Sequence, residues 1–359
     1  MTGSGRGEPG GFAPGAPLPD LDASAEGFVV EVAPGERIHF LDWAGPDVNS
    51  AGQGETAGPP TDEPRVSVLL IHGLGGTAWV WTAVARRLRR AVRTVAMDLR
   101  GHGLSDAPTD PYTPALLVGD VLAVAEGAGL VPMPAVEGGP DPAAQVVLVG
   151  HGYGAMVAAW TAASNATKCA GLVLVDGGWQ DVAAETGLTP AEWVRDLAEP
   201  PDVLRSMAAY LADRRDWDPS SWDADEEHAA RVAVVEVPAG KVVPAVRPHA
   251  LERSVEALFA YRPEAVLADL DVPIVAIVAA DEDDRKVAAM TSVQAARQAA
   301  GRRPIELVRC LDAGHGLPRY RPATLAGAIL RLVTAADPDG QARSDGPPDQ
   351  HRVPSRHQP

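Results

Sequence analysis

Histidine beside glycine recurs where apolar runs end. The segments are His72-Gly73-Leu74-Gly75-Gly76, Gly150-His151-Gly152-Tyr153-Gly154 and Gly314-His315-Gly316; a fourth, Asp98-Leu99-Arg100-Gly101-His102-Gly103-Leu104-Ser105, follows another such run. Imidazole is the side chain that exchanges protons near neutrality, so the first question is whether a fold gathers these segments. Each lies at the C-terminal end of a predicted parallel strand, which is where open α/β sheets place their ligands.

The elements that must position them alternate. A strand pair is predicted at 28–33 and 37–43, followed by a strand in Val66-Ser67-Val68-Leu69-Leu70-Ile71, a helix over 79–92, a strand at 94–98 and a helix over 114–129. The runs 146–150 and 171–176 are short and wholly apolar, as central parallel strands buried on both faces are, and 155–166 between them has helical spacing. Strand rhythm returns at 273–280, with a helix over 287–300, a strand at 305–310 and a helix over 322–335. Such alternation implies an α/β class with a mostly parallel sheet covered on both faces. Between the halves, helical patterns near 190–199, 202–214, 224–236 and 248–260 predict a helical insert. The expected domains are a disordered segment 1–25, a core 26–176, a helical cap 177–271, a second part of the core 272–336 and a disordered tail 337–359. Further loose stretches fall at 45–64 and 131–143.

Composition excludes several classes. The 359 residues carry a formal charge of −17, so neither nucleic acid nor an anionic membrane surface is an expected partner. No apolar run reaches the ~18 residues that span a bilayer. Met1-Thr2-Gly3-Ser4-Gly5 begins nothing like a secretory leader, and a cytoplasmic chain is expected. Cys169 and Cys310 lie in predicted strands and should be buried thiols; no Cys/His spacing suits zinc. A small-molecule ligand is the expected partner, with no cofactor and no metal, and oligomeric state stays open.

The four segments, in this order, resemble the α/β-hydrolase superfamily over roughly residues 28–335. The resemblance implies an α/β-hydrolase fold with a helical cap. It makes His315, in Gly314-His315-Gly316-Leu317-Pro318-Arg319-Tyr320-Arg321-Pro322, the catalytic base. It places the orienting acid after strand 273–280, at Asp283 or, second, Asp281. It assigns the oxyanion-binding N–H groups to Leu74 (Gly75 if the turn shifts) and Tyr153. Around them His72, Gly73, Gly75, Trp79, His151 and Trp179 would form the pocket, while Arg100 and His102 would brace loops. Arg247, His249 and Arg253 of the cap are candidates for an anionic group of a ligand, against the plainer reading of solvated side chains.

At one position the sequence departs from the family. The nucleophile's place in the strand–turn–helix elbow is held by Gly152, which has no side chain, and no adjacent residue supplies one. Losing the nucleophile of such a set costs on the order of 10⁶ in kcat and leaves about 10³–10⁴ over water. Ordinary serine-esterase chemistry is therefore excluded. Three readings follow: a non-covalent hydrolase-like or lyase-like enzyme using the His–acid pair, a pseudoenzyme that binds a ligand or partner, and a dinucleotide-binding protein. The last takes Gly150-His151-Gly152-Tyr153-Gly154-Ala155 as a phosphate-binding turn with Asp176 as the ribose acid, and leaves the other three segments unexplained.

Overall fold

The computed structural model describes residues 25–44, 66–132, 143–197, 206–280 and 284–337. The loose stretches expected at 1–25, 45–64, 131–143 and 337–359 fall almost wholly outside the described residues, as do Asp281 and Asp283.

The first half of the core runs β1 (Glu26–Ala33), β2 (Glu36–Asp42), β3 (Val66–Ile71), α1 (Thr82–Leu88), β4 (Thr94–Met97), α2 (Pro114–Gly127), β5 (Gln145–His151), α3 (Tyr153–Ser164) and β6 (Cys169–Val175). An insert follows, with α4 (Val182–Thr186), α5 (Pro190–Leu197), α6 (Met207–Trp217), α7 (Ala224–Val232), β7 (Val234–Val237), β8 (Lys241–Pro244), α8 (Pro248–Ala260) and α9 (Pro263–Leu267). The core resumes with β9 (Ile274–Ala279), α10 (Asp284–Ala299), β10 (Glu306–Cys310), α11 (Leu317–Tyr320) and α12 (Pro322–Ala336).

The main sheet has the order β1-β2-β4-β3-β5-β6-β9-β10. β2 is antiparallel to both its neighbours, and from β4 to β10 every pairing is parallel. The chain crosses over β3 between β4 and β5, so strand order reverses there and a crevice opens at the carboxyl ends of β3 and β5. His72 and Gly152 stand at those two ends.

Strand residues alternate between two cores, one on each face. Leu69, Ile71, Leu148, Leu172, Leu174, Ile274 and Ala276 pack on one face with α2 and α3. Val68, Leu70, Val147, Val149, Val173, Val175 and Ile277 pack on the other with α1 and α12. A period of two with apolar residues on both sides is what a sheet covered twice demands. This is an α/β-hydrolase fold. Cys169 and Cys310 are buried thiols.

The insert departs from the helical expectation at one point. The helix expected over 224–236 stops at Val232, and 234–244 forms the antiparallel hairpin β7–β8. The β-branched runs Val234-Val235 and Val242-Val243 flank a turn at Gly240, whose φ is +68°. That composition favours strand over helix. Among the described residues, no helix is long and apolar enough to cross a membrane.

Candidate active site

The turn between β5 and α3 is held by close backbone approach. A Cβ on Gly150 would stand 2.2 Å from the Gly154 carbonyl oxygen, and one on Gly154 would stand 2.4 Å from that of His72. Only glycine fits at either end. Between them Gly152 adopts φ +53° and ψ −115°, and its N–H donates to the Val175 carbonyl at 3.0 Å. A Cβ built on Gly152 would point at His315, 3.4 Å from both Cε1 and Nε2, with Gly73 Cα 4.0 Å away. β3, β5 and the loop after β10 thus converge on one point.

His315 is oriented by Asp176. Its Nδ1–H donates to Asp176 Oδ2 at 2.6 Å, and over half of its side chain is open while the carboxylate is fully buried. Asp283 and Asp281, expected in that place, lie outside the described residues. One imidazole N–H has one proton to give, and Asp176, directly at the end of β6, takes it. Asp176 Oδ1 accepts from the Ala279 N–H at 3.2 Å, and Lys286 Nζ lies 3.4 Å from Oδ2. Burial opposes ionisation of Asp176, but the His315 hydrogen bond, the Lys286 charge and the Ala279 N–H together hold it below the usual carboxylate range. Its φ of +42° is unusual for a residue with a side chain. The dinucleotide reading needed Asp176 for a ribose; here its carboxylate is enclosed and engaged.

His151 lies against His315, ring centroids 4.4 Å apart. Its Nε2–H donates to the His315 carbonyl oxygen at 2.8 Å, which also accepts from the Leu317 N–H at 2.8 Å. Burial, then the His315 ring, pushes the His151 pKa down to about 3, so its ring is neutral and clamps the His315 loop. Gly73 packs on it: a Cβ there would sit 3.0 Å from His151 Nδ1. The turn continues through Leu74 to Gly75 at φ +74°, closed by the Gly76 N–H on the Gly73 carbonyl. Among the described residues, the backbone N–H groups of Leu74 and Tyr153 are absent from the hydrogen bonds that close these turns. Tyr153 opens α3, where the first N–H groups have no partner within the helix.

Two of the expected pocket residues have buried side chains. His72 is wholly buried; Nδ1–H donates to the Gly73 carbonyl and Nε2 accepts from the Leu99 N–H at 3.0 Å. Both nitrogens are consumed in joining two turns. Trp179 is likewise buried, in the core beneath the insert. It borders a cleft of about 380 Å³ whose lining, including Asp181, Glu264, Arg285 and Ser292, contains none of Gly152, Leu74 and His315. Trp79 does reach the insert, its ring edge-on to His228 at 4.4 Å. His249 and Arg253 turn to the carbonyl oxygens of Ala107 and Thr109. Arg100 grips Asp120 in a buried two-pronged pair at 2.6 and 2.7 Å, as a bracing role requires. Among the described residues, no group of three or more His, Cys, Asp or Glu is placed to hold a metal ion.

Sequence reasoning missed Asp176 as the partner of His315, and it missed Lys286. The available signal was the ending of Gly171-Leu172-Val173-Leu174-Val175-Asp176: a carboxylate abutting a buried strand, at the sheet edge where His315 must arrive.

The pattern of the alpha/beta hydrolase family matches residues 68–328. The chain belongs to the alpha/beta hydrolase family. Within and around that family, mouse epoxide hydrolase 4 is 32% identical over 93 residues, 25% of this chain and 22% of its own. Mouse protein phosphatase methylesterase 1 is 29% identical over 175 residues, 45% of this chain and 42% of its own. The chain thus matches less than half the length of either relative. A thioesterase domain from the curacin biosynthetic pathway shares the fold at TM-score 0.62 and 22% identity, over 86% of this chain and 99% of that one. E-2-(acetamidomethylene)succinate hydrolase does so at TM-score 0.61 and 18% identity, over 86% and 99%.

Proposed function

We propose that this alpha/beta hydrolase family protein acts on a small ester- or carbonyl-containing molecule by general-base chemistry, with no covalent intermediate. The observation that carries this is the position of Gly152: a Cβ there would lie 3.4 Å from His315 Nε2. The reading is supported by the His315–Asp176 hydrogen bond, by the glycine turn between β5 and α3, and by the hydrogen at Gly152 where a side chain would face the ring.

The hydrogen bond to Asp176 places the proton on Nδ1, so Nε2 carries the free lone pair. The volume beside it that a serine side chain would occupy suits a water molecule. Nε2 takes a proton from that water as its oxygen bonds to the carbonyl carbon, and the π electrons move onto the carbonyl oxygen. The Leu74 and Tyr153 N–H groups receive that oxyanion. When it collapses, the carbon–oxygen bond to the leaving group breaks, and the departing alkoxide recovers the proton from His315. A lyase-like reaction would use the same base on a substrate proton. The names of the relatives, epoxide hydrolases and esterases, favour hydrolysis. The lack of a nucleophile equally favours a second reading, in which the pocket binds its ligand without turnover.

The test is p-nitrophenyl acetate hydrolysis by the parent chain, Gly152→Ser and His315→Ala. Turnover in the parent that is lost in His315→Ala supports general-base catalysis. A silent parent with a His315-dependent burst in Gly152→Ser overturns it and leaves the ligand-binding reading. Parent turnover that survives His315→Ala removes His315 as the base.

A further inference from the structure

We propose that Lys286 is a positioning residue of the His315–Asp176 pair, its ammonium sharing the carboxylate oxygen that receives the imidazole and limiting how much negative charge reaches the ring. The proposal rests on the reading of His315 as a base.

The geometry is a shared acceptor. Asp176 Oδ2 receives His315 Nδ1–H at 2.6 Å and lies 3.4 Å from Lys286 Nζ. The lysine side chain is 18% exposed and the carboxylate 0%, so solvent screens the pair weakly. Asp176 is fixed from its other side by the Ala279 N–H on Oδ1 and by its own backbone at φ +42°. Strained backbone of this kind persists where the surroundings over-determine it. The Ala279 N–H on Oδ1 leaves Oδ2 facing both partners.

The choice of residue supports the same reading. The sequence has three lysines among 31 basic residues. Lys168 pairs with Glu126, and Lys241 opens β8 in the insert hairpin. At the Asp176 carboxylate, in a chain that otherwise uses arginine, stands a lysine. A guanidinium fork tends to engage both carboxylate oxygens, whereas an ammonium is a compact point charge that can occupy one side of Oδ2. The other side stays free for the imidazole.

The consequence is electrostatic. A lone buried carboxylate strengthens the proton's hold on its imidazole; one shared with a cation does so less. A general base must be unprotonated when substrate arrives, so Lys286 favours the working state of His315. Among the described residues, titratable neighbours include His151, whose ring packs on His315, and the Cys310 thiol, which feels Arg321, Asp312 and Asp176.

The experiment is a proton NMR titration of the histidine ring-carbon resonances in the full chain, with His315 assigned by its loss in His315→Ala. In Lys286→Met the pair loses a positive charge, binds its proton more tightly and titrates about one pH unit higher, roughly tenfold in proton affinity. The deshielded Nδ1–H resonance moves further downfield. Lys286→Arg returns the midpoint toward the parent's. Acetylating the lysines of the parent chain removes the charge without a substitution, so the measurement survives if Lys286→Met fails to fold. A midpoint that is unchanged or lower on loss of the charge overturns the proposal. The titration needs no turnover: a parent silent toward esters would sink the base reading and leave this result standing.

Discussion

Two imidazole–carboxylate pairs stand near the carboxyl ends of this sheet, and they do opposite work. His39 Nδ1 meets Asp98 Oδ2 at 2.8 Å with 7% and 2% of the side chains exposed; His315 Nδ1 meets Asp176 Oδ2 at 2.6 Å with 55% and 0%. Asp98 also accepts from the Ala78 N–H at 2.7 Å and the Leu104 N–H at 3.0 Å, tying β2 and the loops after β3 and β4 into one knot. Among the described residues, Asp176 takes one backbone N–H on its carboxylate. A short imidazole–carboxylate distance therefore does not mark a site. What distinguishes the two is exposure: the His39 ring is nearly covered, whereas the His315 ring is open and its Nε2 stands beside Gly152.

The largest expected effect probes the knot. Asp98→Ala leaves the buried Ala78 N–H, the partly buried Leu104 N–H and the His39 ring without their acceptor. The expected loss is about 3–5 kcal/mol of folding stability, read by urea unfolding. A cost below about 1 kcal/mol would break the comparison, since the pair would then be no more structural than the exposed one.

Acid sharpens it next. His102 is buried behind the same knot, and burial, then the His72 ring, pushes its pKa down to about 3. Between the ordinary histidine value near 6.5 and about 3, the unfolded chain binds a proton that the folded one refuses. Stability is full above that window and falls as pH drops through it, by about 1.4 kcal/mol per pH unit for one such group. His102→Leu should flatten the slope by that amount in unfolding series at pH 6, 5 and 4. An unaltered slope would place the proton uptake elsewhere, with His151 the next candidate.

The fold was legible because it is a matter of period. Short apolar runs such as Val146–Gly150, separated by helical spacing, admit a parallel sheet and little else. The loop of His315 was legible because it carries a dense local signature. The carboxylate that its ring meets was not, because pairing across the sheet edge is a property of strand order. Asp176 precedes His315 by 139 residues and meets it only because β6, β9 and β10 lie side by side. The acidic run after β9 looked apt by type and lies almost wholly outside the described residues. His72 misled for a related reason: its neighbours in sequence line the crevice while its ring turns inward to Leu99. The hairpin β7–β8 was visible in its β-branched residues and Gly240, and the helical pattern before it was carried too far.

Asp176→Asn tests the other pair with a smaller effect. Asparagine tolerates the left-handed backbone at φ +42° and keeps an acceptor for the Ala279 N–H. Stability should fall by about 1–2 kcal/mol, well short of Asp98→Ala. In a Gly152→Ser background the His315-dependent burst should fall far more steeply than stability, because the imidazole loses its orienting charge. Equal stability costs for the two aspartates would erase the distinction drawn between them.

The smallest effect lies in the insert and runs against the histidine slope. Glu226 on α7 is held up to about 7, chiefly by burial and despite Arg319, with Asp223 and Asp225 adding to the rise. Arg319 Nε stands 3.6 Å from it and also donates to Ser221 Oγ at 2.8 Å, joining the insert to the helix that follows His315. A carboxylate whose folded pKa is raised contributes stability that is whole below the unfolded value near 4.5 and is lost as pH climbs through about 7. The knot gains from rising pH over much of the range in which this contact weakens. Glu226→Gln cannot ionise, so it should be near neutral at pH 5 and more stable than the parent by about 1 kcal/mol at pH 8. If the variant is instead weaker at pH 8, the ionised Glu226–Arg319 pair holds the insert, and the His315 loop draws support from that charge.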